Sequence, residues 1–403
     1  MNKYPSGYVR GVGSTNHTKP KKIVVVGAGN GGCFTALHIG WHTRHDSNVE
    51  VELIYNPDIP PETVGQATLA EVPRLLWAAT DFDWYNNSVH ATLKSGILYE
   101  GWGKVNEKVY HPFPADEMAM HYCPWEMQKF ILKSGHFKVT EGEVDPSEVD
   151  ADYVFDCRGK PNDLSDYDEL INPTNACILA KPNWDTTKAV WSRHVATPDG
   201  WTFVIPTHSK SPSYDYCVGY CYNSNITSKK DAEKNMLEMF DVEITKNVNY
   251  KNYVAKEPVV DGRIFKNGNR LFFLEPMESS STQGYIEWAR MFCNYIFNFN
   301  DKDPKKEILN YIKQLQQFVL WHYQFGSKYD TPFWDYAGSF TLTEPRFSEV
   351  KELCESISKA DVKPEYYGGR IRESARYGQW PLYSWKCWYD GMTIEDVKKD
   401  TFS

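Results

Sequence analysis

"KKIVVVGAGNGGCFTALHIG", residues 21–40, decides the fold. Ile23 to Val26 is a short apolar, β-branched run, and Gly27-x-Gly29-x-x-Gly32 follows at once. A helical pattern then continues through Phe34, Leu37 and His38. A glycine fingerprint in this strand–turn–helix setting marks a dinucleotide site, where a bare match would not. Gly27 permits the tight turn, Gly29 lets backbone approach a pyrophosphate, and Gly32 lets helix pack on strand. The helix N-terminus, with Asn30 in its first turn, turns its N–H groups toward the phosphates. No second GxGxxG follows, so no separate nicotinamide site is evident.

Working outward, "VEVELIYNPDIPP" (49–61) reads as a second buried strand. It ends in Tyr55 and Asn56, where an acidic residue usually holds the adenosine ribose. "DADYVFDCRGKPND" (150–163) is a further strand ending in a glycine turn, as a doubly wound sheet requires. "WTFVIPTHS" (201–209) and "YDYCVGYCYN" (214–223) alternate with period two and read as strands. "SKKDAEKNMLEMF" (228–240) is a helix opened by Ser228, with Asp231 three residues later. Residues 268–297 begin as an apolar strand and become a helix carrying Ile286, Ala289, Phe292 and Ile296. "ESSST" stands at that junction, where N–H groups are available to an anion. "ATLKSGILYEGW" (91–102) reads as one strand, with Lys94, Gly96, Leu98 and Glu100 on one face. Lys94 is either a lysine snorkelling to water or a functional amine.

Composition narrows the class. The net charge of -9 offers no footprint for nucleic acid or an anionic membrane. No apolar run reaches the roughly 18 residues a membrane span needs, and the N-terminus lacks a secretory h-region, so a cytoplasmic setting is expected. Nine cysteines without a CxxC pair argue against a disulfide framework or a zinc site. Cys217 and Cys221 read as alternate strand positions rather than ligands, and His38, His42 and His45 as packing or surface residues. No metal site is expected.

Taken together, these pieces resemble the flavin-dependent, tryptophan-type halogenases. "VVVGAGNGG" (24–32) matches the family's FAD fingerprint, and "PDIPPETVGQATLAEVPRLL" (57–76) its flavin strap, with Gln66 where a glutamate is usual. "DGWTFVIP" (199–206) resembles the W-x-W-x-I-P motif with Phe203 in place of the second tryptophan. "FLEPMESSST" (273–282) resembles F-L-E-P-L-E-S-T-G, with Ser281 where the family has glycine. "LWHYQFGSKYDTPFW" (320–334) and "SWKCWYDGM" (384–392) resemble segments of its C-terminal half.

The resemblance implies FAD, used as FADH2, with a halide ion as co-substrate. Val64, Gly65, Gln66, Ala67 and Leu274 join Gly27, Gly29, Asn30 and Gly32 in the implied cofactor site. Lys94 is implied as the catalytic lysine, holding hypohalous acid by hydrogen bond or as a haloamine, and Glu278 as the catalytic carboxylate. Halide falls to Ser279, Ser280 and Ser281. "VYHPF" (109–113) places His111 and Phe113 on the substrate wall, with Trp385 and Trp388 as weaker candidates opposite. Relative to the tryptophan enzymes the C-terminal half looks trimmed, which implies small electron-rich aromatics rather than strictly tryptophan. A separate flavin reductase is the implied partner; self-association stays open. An aromatic monooxygenase and a non-catalytic FAD-binding descendant remain the alternatives.

The expected fold is α/β, one continuous unit. Residues 1–20 form a flexible leader, and 21–165 a Rossmann-like FAD-binding region with strap and lysine strand. Residues 166–255 form a substrate-side β-sheet, and 256–300 return to the FAD core with the halide and glutamate segment. Residues 301–403 form a largely helical C-terminal region closing the substrate pocket.

Overall fold

A computed structural model of the chain describes residues 21–113, 118–297, 303–340, 352, 376–377 and 380–395. The expected leader and much of the region beyond residue 340 lie outside the described residues. Contacts gather into two compact units, each assembled from three stretches of chain. Met1–Ala91, Tyr122–Leu170 and Asn252–Ile312 form the first; Thr92–His121, Ile171–Lys251 and Lys313–Ser403 form the second.

In the first unit the apolar run becomes the strand Lys21–Val26, buried from Ile23 on, and the pattern after it becomes the helix Asn30–Thr43. That strand pairs in parallel with Val49–Tyr55 on one side and Tyr153–Asp156 on the other. The sheet extends to Lys138–Glu141 at one edge. At the other it extends to Ile264–Lys266, itself paired antiparallel with Val259–Val260. Near-continuous apolar strands are what a parallel sheet needs, because helices cover its faces. Mixed α/β architecture with this Rossmann-like core is the fold class the fingerprint implies.

Helix Asn30–Thr43 buries His38 and half-buries His42, with ring centroids 4.2 Å apart. Burial and the neighbouring Arg290 hold both rings below the ordinary histidine range, His42 at about 4. Between that value and the unfolded value near 6.5 the unfolded chain binds protons that the folded chain refuses. Stability therefore falls as pH drops through this window. His42 alone should remove about 3 kcal/mol by the bottom of it. Urea melts stepped across the window test this: His42→Phe should flatten the slope, and a slope unchanged by that substitution refutes the assignment.

The second unit is built on a seven-stranded sheet. Its order is Val242–Asn249, Ala176–Pro182, Val218–Tyr222, Gly200–Val204, Ser192–Thr197, Gly96–Glu100 and Lys108–Pro112. All its pairings are antiparallel except that of Ser192–Thr197 with Gly96–Glu100. Phe203 lies directly opposite Gly219, and a Cβ at 219 would collide with its ring. The glycine makes room for the aromatic at this altered motif position. Trp102 anchors the unit's core, with ring centroids 5.2 Å from Trp334 and 5.6 Å from Trp388.

Two readings of the strands need correction. "ATLKSGILYEGW" is not one strand: Thr92–Lys94 and Gly96–Glu100 belong to different sheets, broken at Ser95. Ser95 turns its own N–H to the carbonyl of Val190 (2.7 Å), and its carbonyl accepts from Phe113 N–H (2.7 Å). Its hydroxyl also donates to Val190 (2.8 Å). In "YDYCVGYCYN", Tyr214–Tyr216 is a 3-10 turn, and the strand starts only at Val218. Cys217 therefore closes the turn, and Cys221 alone of the pair sits in the strand. Eight described cysteines are free thiols; seven are buried, and Cys387 is partly exposed. Ser228 accepts from Asp231 N–H at the start of the helix Lys229–Met239, as its spacing predicts.

Candidate active site

The glycine turn has the shape of a pyrophosphate cradle. Gly27 is left-handed (φ +103°), and a Cβ there would lie 2.5 Å from the carbonyl oxygen of Cys157. A Cβ on Gly32 would collide with the carbonyl of Gly27, so helix and strand touch only because that side chain is missing. At Gly29 a Cβ would meet no protein atom within 4 Å. The space over Gly29 is thus open, at the start of a helix with no side-chain cap and no acid in its first turn. An anionic phosphate suits such a helix end, where aligned N–H groups concentrate positive potential. Gln128 donates to the carbonyl of Ala28 (2.8 Å) and stiffens the turn. These residues fit a flavin dinucleotide.

Several groups around this turn escape a reading of the sequence. Tyr55 stands at the ribose edge, and its hydroxyl donates to Glu141, its register partner on the neighbouring strand (3.5 Å). Asn56 donates to Glu143 (3.4 Å). Carboxylates are therefore present at this edge, contributed by a segment far along the chain. Asp156, at the end of its strand, accepts from Arg158 (2.9 Å) and Arg270 (3.1 Å). Asn267 donates to Thr35 on the fingerprint helix (2.8 Å). In the strap segment Gln66 folds back onto the carbonyl of Val64 (3.4 Å), with Gly65 and Ala67 buried beside it. Leu274 is buried too.

The same unit carries the second acidic signal. Glu278 is 0% exposed and left-handed (φ +63°), and Ser279 follows it at φ +55°. Each such non-glycine residue costs about 1–3 kcal/mol of backbone strain, and residues of this kind cluster at functional sites. The helix Ser281–Ile296 begins directly after Ser280, whose hydroxyl does not cap it, and its first turn holds no acid. Ser279, Ser280 and Ser281 bring N–H groups and hydroxyls to this helix start. The strained positions are 278 and 279, while Ser281 takes no left-handed backbone. Loss of the family's glycine at 281 therefore carries no conformational penalty.

In the second unit Lys94 is 0% exposed, which removes the snorkelling alternative. Its ammonium lies 5.1 Å from the centroid of Phe113. Phe113 packs edge-on against His111 at 6.1 Å. His111 Nε2 is 3.0 Å from the hydroxyl of Ser384, next in sequence to Trp385. Trp385 packs against Phe318 and Trp321, with centroids 4.7 Å and 5.4 Å away. Trp388 sits in the core against Tyr99 at 4.4 Å. Lys94, His111 and Phe113 thus share one neighbourhood, and Glu278, Ser279, Ser280 and Ser281 belong, like the glycine turn, to the first unit. An ammonium over an aromatic face, removed from water, is held by the ring's quadrupole and needs further polar support.

A glycine turn shaped for a dinucleotide in one unit and a buried lysine beside Phe113 in the other suit a flavin-dependent oxidoreductase. The tryptophan halogenase family model matches residues 22–141 and 134–399, and the chain belongs to that family of flavin-dependent halogenases. Tryptophan 7-halogenase RebH of Lentzea aerocolonigenes is 24% identical over 432 residues, covering 78% of each chain. A tryptophan halogenase structure from Shewanella frigidimarina superposes with a TM-score of 0.74 at 14% identity, over 95% of this chain and 91% of that one. Xcc4156, a flavin-dependent halogenase from Xanthomonas campestris, gives 0.72 at 16% identity, over 93% and 89%. Among the described residues no helix is long and apolar enough to cross a membrane.

Proposed function

We propose that the protein uses FADH2 and O2 to oxidise chloride, bromide or iodide to hypohalous acid, and that Lys94 directs the halogen onto an electron-rich indole or phenol. The observation that carries this reading is the fully buried ammonium beside Phe113. A hydroxylating enzyme has no use for an amine beside its substrate wall.

Reduced FAD, when bound, supplies the activation of oxygen that oxidises the halide. Gly27, Gly29, Asn30 and Gly32 would hold its pyrophosphate, with Val64, Gly65, Gln66 and Ala67 along the strap and Leu274 just after the strand Phe272–Phe273. Ser279, Ser280 and Ser281 offer the halide a helix N-terminus. Lys94 donates a hydrogen bond to the oxygen of hypohalous acid, leaving the halogen as the electron-poor end. The ring carbon bonds to the halogen as the O–X bond breaks. The departing hydroxide takes the proton that Lys94 donates and leaves as water, while Glu278 takes the ring proton as general base; reprotonation of the amine and release of the Glu278 proton restore both groups. His111 and Phe113, with Trp385, shape the wall against which the arene stacks. A separate reductase supplies FADH2.

The test supplies chemically reduced FAD, oxygen and each halide in turn with a panel of indoles and phenols, followed by mass spectrometry. A halogenated arene is expected. Hydroxylated product without halogen would establish a monooxygenase, and no turnover with bound FAD a binding protein.

A further inference from the structure

His121 lies in the strand Ala119–Tyr122, directly opposite Thr92, and Ala119 on the same strand faces Lys94. Its imidazole is 1% exposed. Nδ1 is 3.0 Å from the Thr92 hydroxyl, and Nε2 is 3.0 Å from the Ser192 hydroxyl. Thr92 in turn donates to the carbonyl of Pro206 at 3.0 Å. A carbonyl only accepts, so the single Thr92 proton is committed to Pro206. Thr92 must then accept from His121, which places the ring proton on Nδ1. Nε2 is left with its lone pair and accepts from Ser192. This arrangement satisfies the ring and both hydroxyls with an uncharged imidazole. Burial and the positive charge of Lys94 act in the same direction, holding the ring well below the ordinary histidine range.

The hub joins three segments of one unit. Lys94 stands on a three-residue strand that breaks away from the seven-stranded sheet at Ser95. Ser192 opens a strand of that sheet, and Pro206 follows another, at the end of the altered tryptophan motif. So short a strand has few ladder bonds to hold it, and a buried amine on it needs another source of registration.

We propose that His121, as a neutral Nδ1–H tautomer clamped between Thr92 and Ser192, is a positioning residue that fixes the strand presenting the Lys94 amine. This rests on the halogenase reading above. Because misplacement of a reacting group by about 1 Å can cost 10²-fold, loss of the clamp should show as misdirected halogen. It should not appear as weaker arene binding.

The experiment uses the full chain with chemically reduced FAD, oxygen, bromide and an indole. Two quantities are read: halogenated indole formed per FADH2 oxidised, and hypobromous acid escaping to monochlorodimedone. For His121→Phe the first should fall about 10- to 100-fold while the second rises, with the indole KM within about twofold of native. His121→Asn, whose amide can donate to Thr92, should recover much of the ratio. A merely structural role scales both quantities with the folded fraction and leaves their ratio unchanged, which would overturn the proposal. Should His121→Phe not fold, Ser192→Ala should shift the ratio in the same direction, and an unchanged ratio there is equally fatal. Ring 15N shifts of the native protein at neutral pH, assigned by difference with His121→Asn, should show Nδ1 protonated and Nε2 bare. An Nε2–H tautomer or an imidazolium refutes the clamp. If native protein halogenates but the variants keep their ratio, this inference falls alone. If native protein yields no halogenated product with any halide, the halogenase reading falls and takes this one with it.

Discussion

Lys94→Ala is expected to lower halogenated product by about 10²- to 10⁴-fold, the range typical when a positioned donor or acceptor leaves a reaction. Oxidation of FADH2 should continue, and the hypohalous acid formed should escape to a trap. The size of the effect follows from geometry: the ammonium is wholly buried and stands over Phe113, and among the described residues no other cation is placed over that ring. A thermal melt separates this from a folding defect. Removing one member of a buried polar cluster leaves its neighbours uncompensated, so Lys94→Met should melt below the native temperature. Product is therefore read per folded molecule: Lys94→Met, which keeps the volume of the stem, should lose product like Lys94→Ala at a temperature where it is still folded. A methionine variant that keeps native product yield would remove Lys94 from the chemistry.

The second large effect divides the fingerprint glycines by what surrounds each one. Gly32→Ala should destroy FAD binding and lower stability by about 1–3 kcal/mol or more, because its methyl would overlap the Gly27 carbonyl and wedge helix from strand. Gly29→Ala should behave differently. Its methyl meets no protein atom, so the chain should fold and melt as native. It would occupy the space a phosphate needs, however, and FAD affinity should fall at least about tenfold. Flavin fluorescence titration and thermal melting on the two variants check the contrast. Equal FAD affinity in Gly29→Ala and native protein would show that the pyrophosphate lies elsewhere.

Much of the architecture is legible along the chain where a local signal and its structural consequence share one segment. The β-branched run before Gly27, the helix after Gly32, and Ser228 with Asp231 all act within a few residues of themselves. Ser95 is different. Its alternation with Leu93 and Ile97 continues the strand pattern, and only hydrogen bonds to Val190 and Phe113, distant in sequence, break it. Glu278 and Ser279 give no sign of left-handed backbone, since neither residue type requires it; the tertiary frame imposes it. Glu141 reaches the ribose edge from a strand whose pairing cannot be read from its own four residues. His121 sits in "HYCP" without periodicity or motif, and its meaning arises from Thr92, Ser192 and Pro206 arriving around it. Lys94, Glu278, His111 and Phe113 stand out through family resemblance and not through any local pattern of their own.

Sulfur is among the softest targets for an electrophilic halogen, and a protein that makes such an oxidant is exposed to its own product. Seven of the eight described thiols are sequestered. Burial also pushes Cys33, Cys217 and Cys293 up to about 12, so the reactive thiolate is scarcely populated at neutral pH. On the proposed function, a catalyst that lets some oxidant stray would thereby be spared self-inflicted damage, and among the described thiols Cys387 is where such wear would begin.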